Sequence, residues 1–189
     1  MSTYKFLARG AVGPISGFQW PVPASEEPGP WVEAEGSLGL CVNGAHVCRT
    51  FELAHWLSDE LWETETDGEE LAGLDCLVVR RARLVRRIDA WQEGGAARFA
   101  EACAEHAAGL ADRAPPELAA SARGLLDDAL EAARMGYPAV SAYASAVAVA
   151  GLGDPADRDA AYRRERLWQS EWIAVSLLGA PPEAASERP

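Results

Sequence analysis

The sequence predicts an α+β fold, with a small, mainly antiparallel sheet and one helix followed by an Ala-rich helical half. Three observations carry this. Up to about Ala90 the chain is mixed, rich in aromatics, Gly and Pro, and its apolar runs are short. Beyond that point it is rich in Ala with helical spacing, and Pro-Pro and Gly-Tyr-Pro punctuate it. The 189 residues, 49% hydrophobic and 24% charged, have globular proportions and suffice for a core. The expected organisation is a mixed region over 1–90, a helical region over 91–180 and a disordered tail over 181–189.

Tyr4 to Leu7 reads as a first strand. Gly and Pro between Gly10 and Pro23 forbid a long regular element there. Trp31 to Glu35 alternates like a short strand, and Leu40 to Val42 is another, turned by Asn43-Gly44. Thr50 is the expected N-cap of a helix from Phe51 to about Leu61, with Leu53, Trp56, Leu57 and Leu61 as its buried stripe. Trp62 to Thr66 alternates again and is expected to turn at Asp67-Gly68. A further strand begins near Leu74 and extends towards Arg87.

The second half predicts four helices. Asp89 and Gln92 form a capping-box pattern for the first, whose inward face is Phe99, Cys103, His106 and Leu110. The second follows Pro115-Pro116, turns Leu118, Ala122, Leu125, Ala129 and Ala133 inward, and stops at Gly136. Pro138 opens the third, which is small-residued from Ala139 to Ala150 and is a candidate homodimer interface. The fourth runs from about Ala156 to Leu178, with Trp168, Trp172, Val175 and Leu178 near one face.

Composition narrows the classes of function. A net charge of −12 opposes general binding to nucleic acid or to anionic membranes. No signal-peptide-like or membrane-spanning apolar run is present in the sequence, so the expectation is a cytoplasmic protein. The four cysteines, Cys41, Cys48, Cys76 and Cys103, are then expected as thiols or ligands rather than disulfides. Lys5 is the only lysine.

Three groups of residues could carry chemistry. Cys41, His46, Cys48 and His55 have zinc-ligand chemistry, and Cys76 or Cys103 could complete a set, but their spacing is poor for a closed tetrahedral site. The same segment offers Cys48 as a nucleophile with His46 as its base, just ahead of a helix start. The blander reading, favoured for each cysteine, is a buried small hydrophobe. The run Arg80, Arg81, Arg83, Arg86 and Arg87 suits phosphate or carboxylate, although pairing with the acidic run from Glu60 to Glu70 is the favoured explanation. Phe18, Trp20, Trp31, Trp56 and Trp62 form an aromatic set suited to stacking on a planar ligand or to filling a core, and Trp20, Trp31 and Trp62, with Arg81 and Arg83, are the ligand-binding candidates.

Tyr4-Lys5-Phe6-Leu7, Gly17-Phe18-Gln19-Trp20-Pro21, Leu40-Cys41, Gly44-Ala45-His46-Val47-Cys48 and Glu60-Leu61-Trp62-Glu63 resemble a group of small uncharacterised actinobacterial and phage proteins. The likeness covers about half the chain and implies no activity. The scarcity of Lys beside plentiful Arg, Ala and Gly fits a GC-rich bacterial origin. More distantly, the order of a strand followed by Arg9, a Gly-x-His turn, a helix and a strand is similar to ADP-ribosyltransferase-like folds. That resemblance would place Arg9, His46 and the Phe51 helix along a nicotinamide-dinucleotide cleft, with no catalytic glutamate assigned. Three classes therefore stand: a module binding a small molecule or partner protein, a transferase-like enzyme, and a Cys/His metal-stabilised domain. No cofactor is specified.

Overall fold

A computed structural model describes residues 2–180. It divides into two compact units, Met1–Gln92 and Glu93–Pro189. The expected tail over 181–189 lies outside the described residues. The architecture is α+β, a mainly antiparallel sheet followed by a helical half. No helix among the described residues is long and apolar enough to cross a membrane.

The first unit holds five strands: β1 (Thr3–Leu7), β2 (Val32–Glu33), β3 (Ala45–Val47), β4 (Glu60–Ala72) and β5 (Leu77–Arg87). All pairings are antiparallel, in the order β1-β4-β5-β2, with β3 also on β5. Just past β3, Cys48 exchanges two backbone hydrogen bonds with Tyr4, of 2.7 and 2.8 Å. This pair ties β1 back towards β3 and curls the sheet over its inner face. That face is packed with Leu7, Trp20, Val47, Trp62, Leu77, Val79 and Leu84.

Strands β4 and β5 form one long hairpin, and Asp67-Gly68 does not turn the chain as expected. Gly68, at a φ of 85°, lies within β4, where the register shifts between Asp67 and Glu70. This is a bulge, which kinks a strand without ending it. The chain reverses further on, where the Gly73 amide donates to the Cys76 carbonyl at 2.8 Å. Alternation along the hairpin puts Thr64 against Leu84 on the inner face, while Glu63 meets Arg86 and Glu65 meets Arg83 on the outer face.

The helix expected from Phe51 to Leu61 is a single 3-10 segment, Thr50–Trp56. Its cap position is Arg49 rather than Thr50. Glu52 folds back to accept from the Arg49 amide at 2.7 Å and pairs with the Arg49 guanidinium. Leu53 is buried as expected, but Leu61 belongs to β4, because the chain must be extended by Glu60 to pair with Leu7.

The second unit contains α1 (Ala96–Ala111), α2 (Pro116–Arg134), α3 (Pro138–Ala150) and α4 (Arg158–Leu178). The capping box at Asp89 is not used. Arg87 takes that carboxylate at 2.6 Å, and the chain enters α1 through an irregular turn at Glu93 and Gly94. Pro138 opens α3, and Gly136 ends α2 at a φ of 76°. Helix α3 touches the other three, and its small side chains permit this: Ala142, Ala146 and Ala148 are fully enclosed. Two stripes differ from expectation. His106, Leu110, Leu118 and Leu125 are half-buried, while Ala107 and Ala132 are buried. On α4 the buried side is Glu165, Arg166, Gln169, Ser170 and Ile173, leaving Trp168 and Trp172 half-buried and Val175 exposed.

Candidate functional site

The first unit encloses a cavity of about 530 Å³. Strand β1 contributes Lys5 and β3 contributes Ala45, His46 and Val47. Trp20 comes from the loop that follows β1, and Trp56 from the 3-10 segment. Ile15 and Phe18 on one loop and Val42 on another also line it while staying exposed, at 85%, 46% and 86%. An apolar chamber with an apolar lip and a few polar groups is the usual form of a small-molecule site.

Two loops shape the chamber. Glu60 is buried, and its carboxylate accepts from the amides of Gly10 and Ala11 and from Trp62 Nε1, at 2.9, 3.1 and 2.9 Å. These bonds fix the tight turn at Gly10 and Ala11, both at positive φ, and Ala11 in turn accepts from the Trp20 amide at 2.9 Å. The second loop is the turn into β3. Gly44 sits there at a φ of 122°, and an added Cβ would collide with Val78, so only glycine fits.

Lys5 is the one Lys or Arg side chain among the described residues that line the cavity. Nζ donates to the His46 carbonyl at 2.5 Å and lies 4.9 Å from the centre of the Trp20 ring. Among the described residues it forms no ion pair with a carboxylate. Lys5 is half-buried by area, and it lines the cavity. Elsewhere protein atoms crowd it, and this desolvation pulls its pKa down to about 8.

Cys41, Cys48 and Cys76 also line the cavity. Cys48 and Cys76 are buried, and burial pushes both thiols up, away from the thiolate that nucleophilic attack needs. His46 is not placed as a base for Cys48. Its Nε2 accepts from the Cys41 amide at 3.0 Å, and Nδ1 lies 3.2 Å from the Gly44 carbonyl. Both ring nitrogens are therefore occupied in the turn. Among the described residues no three His, Cys, Asp or Glu side chains gather as a metal-ion set. His55 is directed elsewhere, with Nε2 3.7 Å from an Asp75 carboxylate oxygen.

Arg9 is exposed and outside the cavity wall, and its amide donates to Asp59 at 3.0 Å. Arg80, Arg81, Arg83 and Arg86 of the arginine run are paired across the hairpin, and Arg87 pairs with Asp89. Arg81 meets Asp67 at 3.0 Å, Arg83 meets Glu65 at 2.6 Å and Arg86 meets Glu63 at 2.6 Å. Trp31 lies against this ladder, 4.7 Å from the Arg81 guanidinium and 4.5 Å from that of Arg83. Trp62 is core. Of the aromatic set singled out from the sequence, Phe18, Trp20 and Trp56 line the chamber, and Trp31 and Trp62 do not.

The second unit buries a polar cluster of its own. His106 Nδ1 is 3.1 Å from Glu165 Oε2, and its ring stacks on Trp168 with centroids 3.8 Å apart. Arg166 donates to Gln169 at 2.9 Å, and Gln169 donates to the Ala142 carbonyl at 2.9 Å. Cys103 is enclosed, and burial raises its thiol pKa.

No protein-family model, curated protein or solved structure matches this chain. The sequence points to Cys41, His46, Cys48, Phe18, Trp20 and Trp56 in this wall but not to Lys5. The available signal was the chain's only lysine, set between Tyr4 and Phe6 in a strand whose neighbours are apolar.

Proposed function

We propose that the first unit is a binding module for a small molecule with an apolar or aromatic body. One observation carries the reading: an apolar chamber of about 530 Å³ has a single cation in its wall, without a carboxylate partner among the described residues. Structural lysines in a core are normally paired or turned to water, because a desolvated ammonium is costly. The exposed lip of Ile15, Phe18 and Val42 supports it, since clustered apolar surface around a concavity marks a place where apolar matter docks. A redox or nucleophilic role draws less support, because the Cys48 and Cys76 thiols are held protonated and the His46 ring is engaged in the turn.

The test is isothermal titration against a library of apolar and aromatic metabolites, read in parallel by tryptophan fluorescence, since Trp20 and Trp56 line the chamber. The expected result is saturable one-to-one binding that quenches or shifts the emission. Absence of any response at roughly millimolar ligand would remove the proposal.

A further inference from the structure

We infer that the chamber in the first unit selects a monocarboxylate, an organic acid whose apolar body fills the cavity and whose carboxylate pairs with Lys5; this rests on the binding-module reading above. The geometry leaves the ammonium incompletely partnered. An ammonium has three hydrogens to donate. Nζ places one on the His46 carbonyl, and the Trp20 ring takes up one side by cation–π attraction. Among the described residues no second Lys or Arg lines the chamber, and the His46 ring nitrogens are engaged in the turn, so a single negative charge fits better than a phosphate or a dicarboxylate.

The other titratable groups around the chamber do not compete for this role. Cys48, at the end of β3, and Cys76, in the β4–β5 turn, are thiols raised by burial. Burial first, and Lys5 as well, lower the His46 pKa against the opposing hydrogen bond to Gly44. Glu33 on β2 lies along the wall but is 3.6 Å from Arg81. Cys41 lines the mouth from an exposed turn. A bound carboxylate would supply the missing counter-charge and raise the Lys5 pKa from about 8.

Binding and proton uptake should therefore be linked. Below pH 8 Lys5 is charged in the free protein, and an acid binds without taking up a proton. Above it the free amine is mostly neutral, and each acid bound must recruit one proton. Affinity for the acid should then fall about tenfold per pH unit.

The experiment uses the full chain and matched probes: octanoate, 4-phenylbutyrate and 1-naphthylacetate, each against its neutral primary amide. Titration calorimetry at pH 6 and pH 9, in buffers of different ionisation enthalpy, reads affinity and proton uptake together. Expected are preference for acid over amide by about 10- to 100-fold at pH 6, close to one proton taken up per acid at pH 9, and none for the amide. Lys5→Met should lose the preference. If that variant does not fold, the wild-type preference for acid over amide at pH 6 still decides.

Equal affinity for acid and amide at pH 6 would overturn the carboxylate assignment and leave the binding module standing. Failure of every acid and every amide to bind at roughly millimolar concentration would remove both.

Discussion

The backbone amide of Cys41 donates to Nε2 of His46 at 3.0 Å. A nitrogen that accepts from an amide carries no hydrogen, so the ring proton is on Nδ1, facing the Gly44 carbonyl. The neutral imidazole thus bridges a turn in which Cys41 has a φ of 59°. His46→Ala should cost about 1–2 kcal/mol, from two lost side-chain bonds in a turn that needs them. The pKa of His46 is lowered in the fold by burial first and by Lys5 as well. Its contribution is therefore present above the unfolded value near 6.5, and it is lost as pH falls through the lower folded value. Urea unfolding of wild type and His46→Ala should differ more at pH 7.5 than at acid pH. A difference that grows on acidification would contradict the neutral tautomer.

Thiol accessibility offers a separate check on the same wall. Of the four cysteines, Cys41 is exposed, whereas Cys48, Cys76 and Cys103 are buried. A chromogenic disulfide reagent should label one thiol rapidly in native protein and all four in denaturant. Cys41→Ser should abolish the fast phase. A ligand in the chamber should slow it, because Cys41 lines the mouth.

The lip can be altered without touching the core. Ile15 and Val42 are nearly fully exposed, so Ile15→Ser and Val42→Ser should change stability by less than about 0.5 kcal/mol. Affinity for an apolar ligand should nonetheless drop, by about three- to tenfold per side chain if each covers the bound molecule. Unaltered affinity in the double variant would mean that the lip is not used.

The fold class was legible because it rests on local patterns: alternation in Trp62 to Thr66, helical spacing after Ala90, and Pro138 and Gly136 at helix boundaries. What was illegible depended on partners far along the chain. Thr50 looks like a helix cap, but pairing of Glu60 with Leu7 allows only a short 3-10 segment before the strand begins. Asp67-Gly68 has a turn dipeptide, yet the strand passes through it as a bulge, with charged pairs before it and Arg80 meeting Glu69 after it at 2.6 Å. Lys5 reads locally as one outward charge on a strand. It becomes part of a chamber only when the loop carrying Trp20 folds over it, and nothing in Tyr4-Lys5-Phe6 encodes that.

The outer ladder should contribute little energy and no ligand binding. Arg81 and Arg83 pair with Asp67 and Glu65, whose side chains are 57% and 47% exposed. Exposed pairs are worth about 0–1 kcal/mol, and salt weakens them. Arg81→Ala and Arg83→Ala should each fall in that range by urea denaturation, with ligand affinity in the chamber unchanged. A large loss of affinity in either variant would shift the site to the face where Trp31 lies against both guanidinium groups.

Helix α4 makes an opposite and separable pH prediction for the second unit. Glu165 is buried, and desolvation raises its pKa above the ordinary carboxyl value, although His106 and Arg166 pull it the other way. A carboxyl raised in the folded state contributes stability that is present below its unfolded pKa and is lost as pH rises through its folded one. Hydrogen exchange of α4 amides should therefore show decreasing protection from about pH 4.5 upward. Glu165→Gln keeps the shape without the charge, so its protection should be nearly independent of pH over that window. Wild-type protection that instead increases with pH would mean that the ion pair with His106, 3.1 Å away, outweighs the cost of burying the carboxylate.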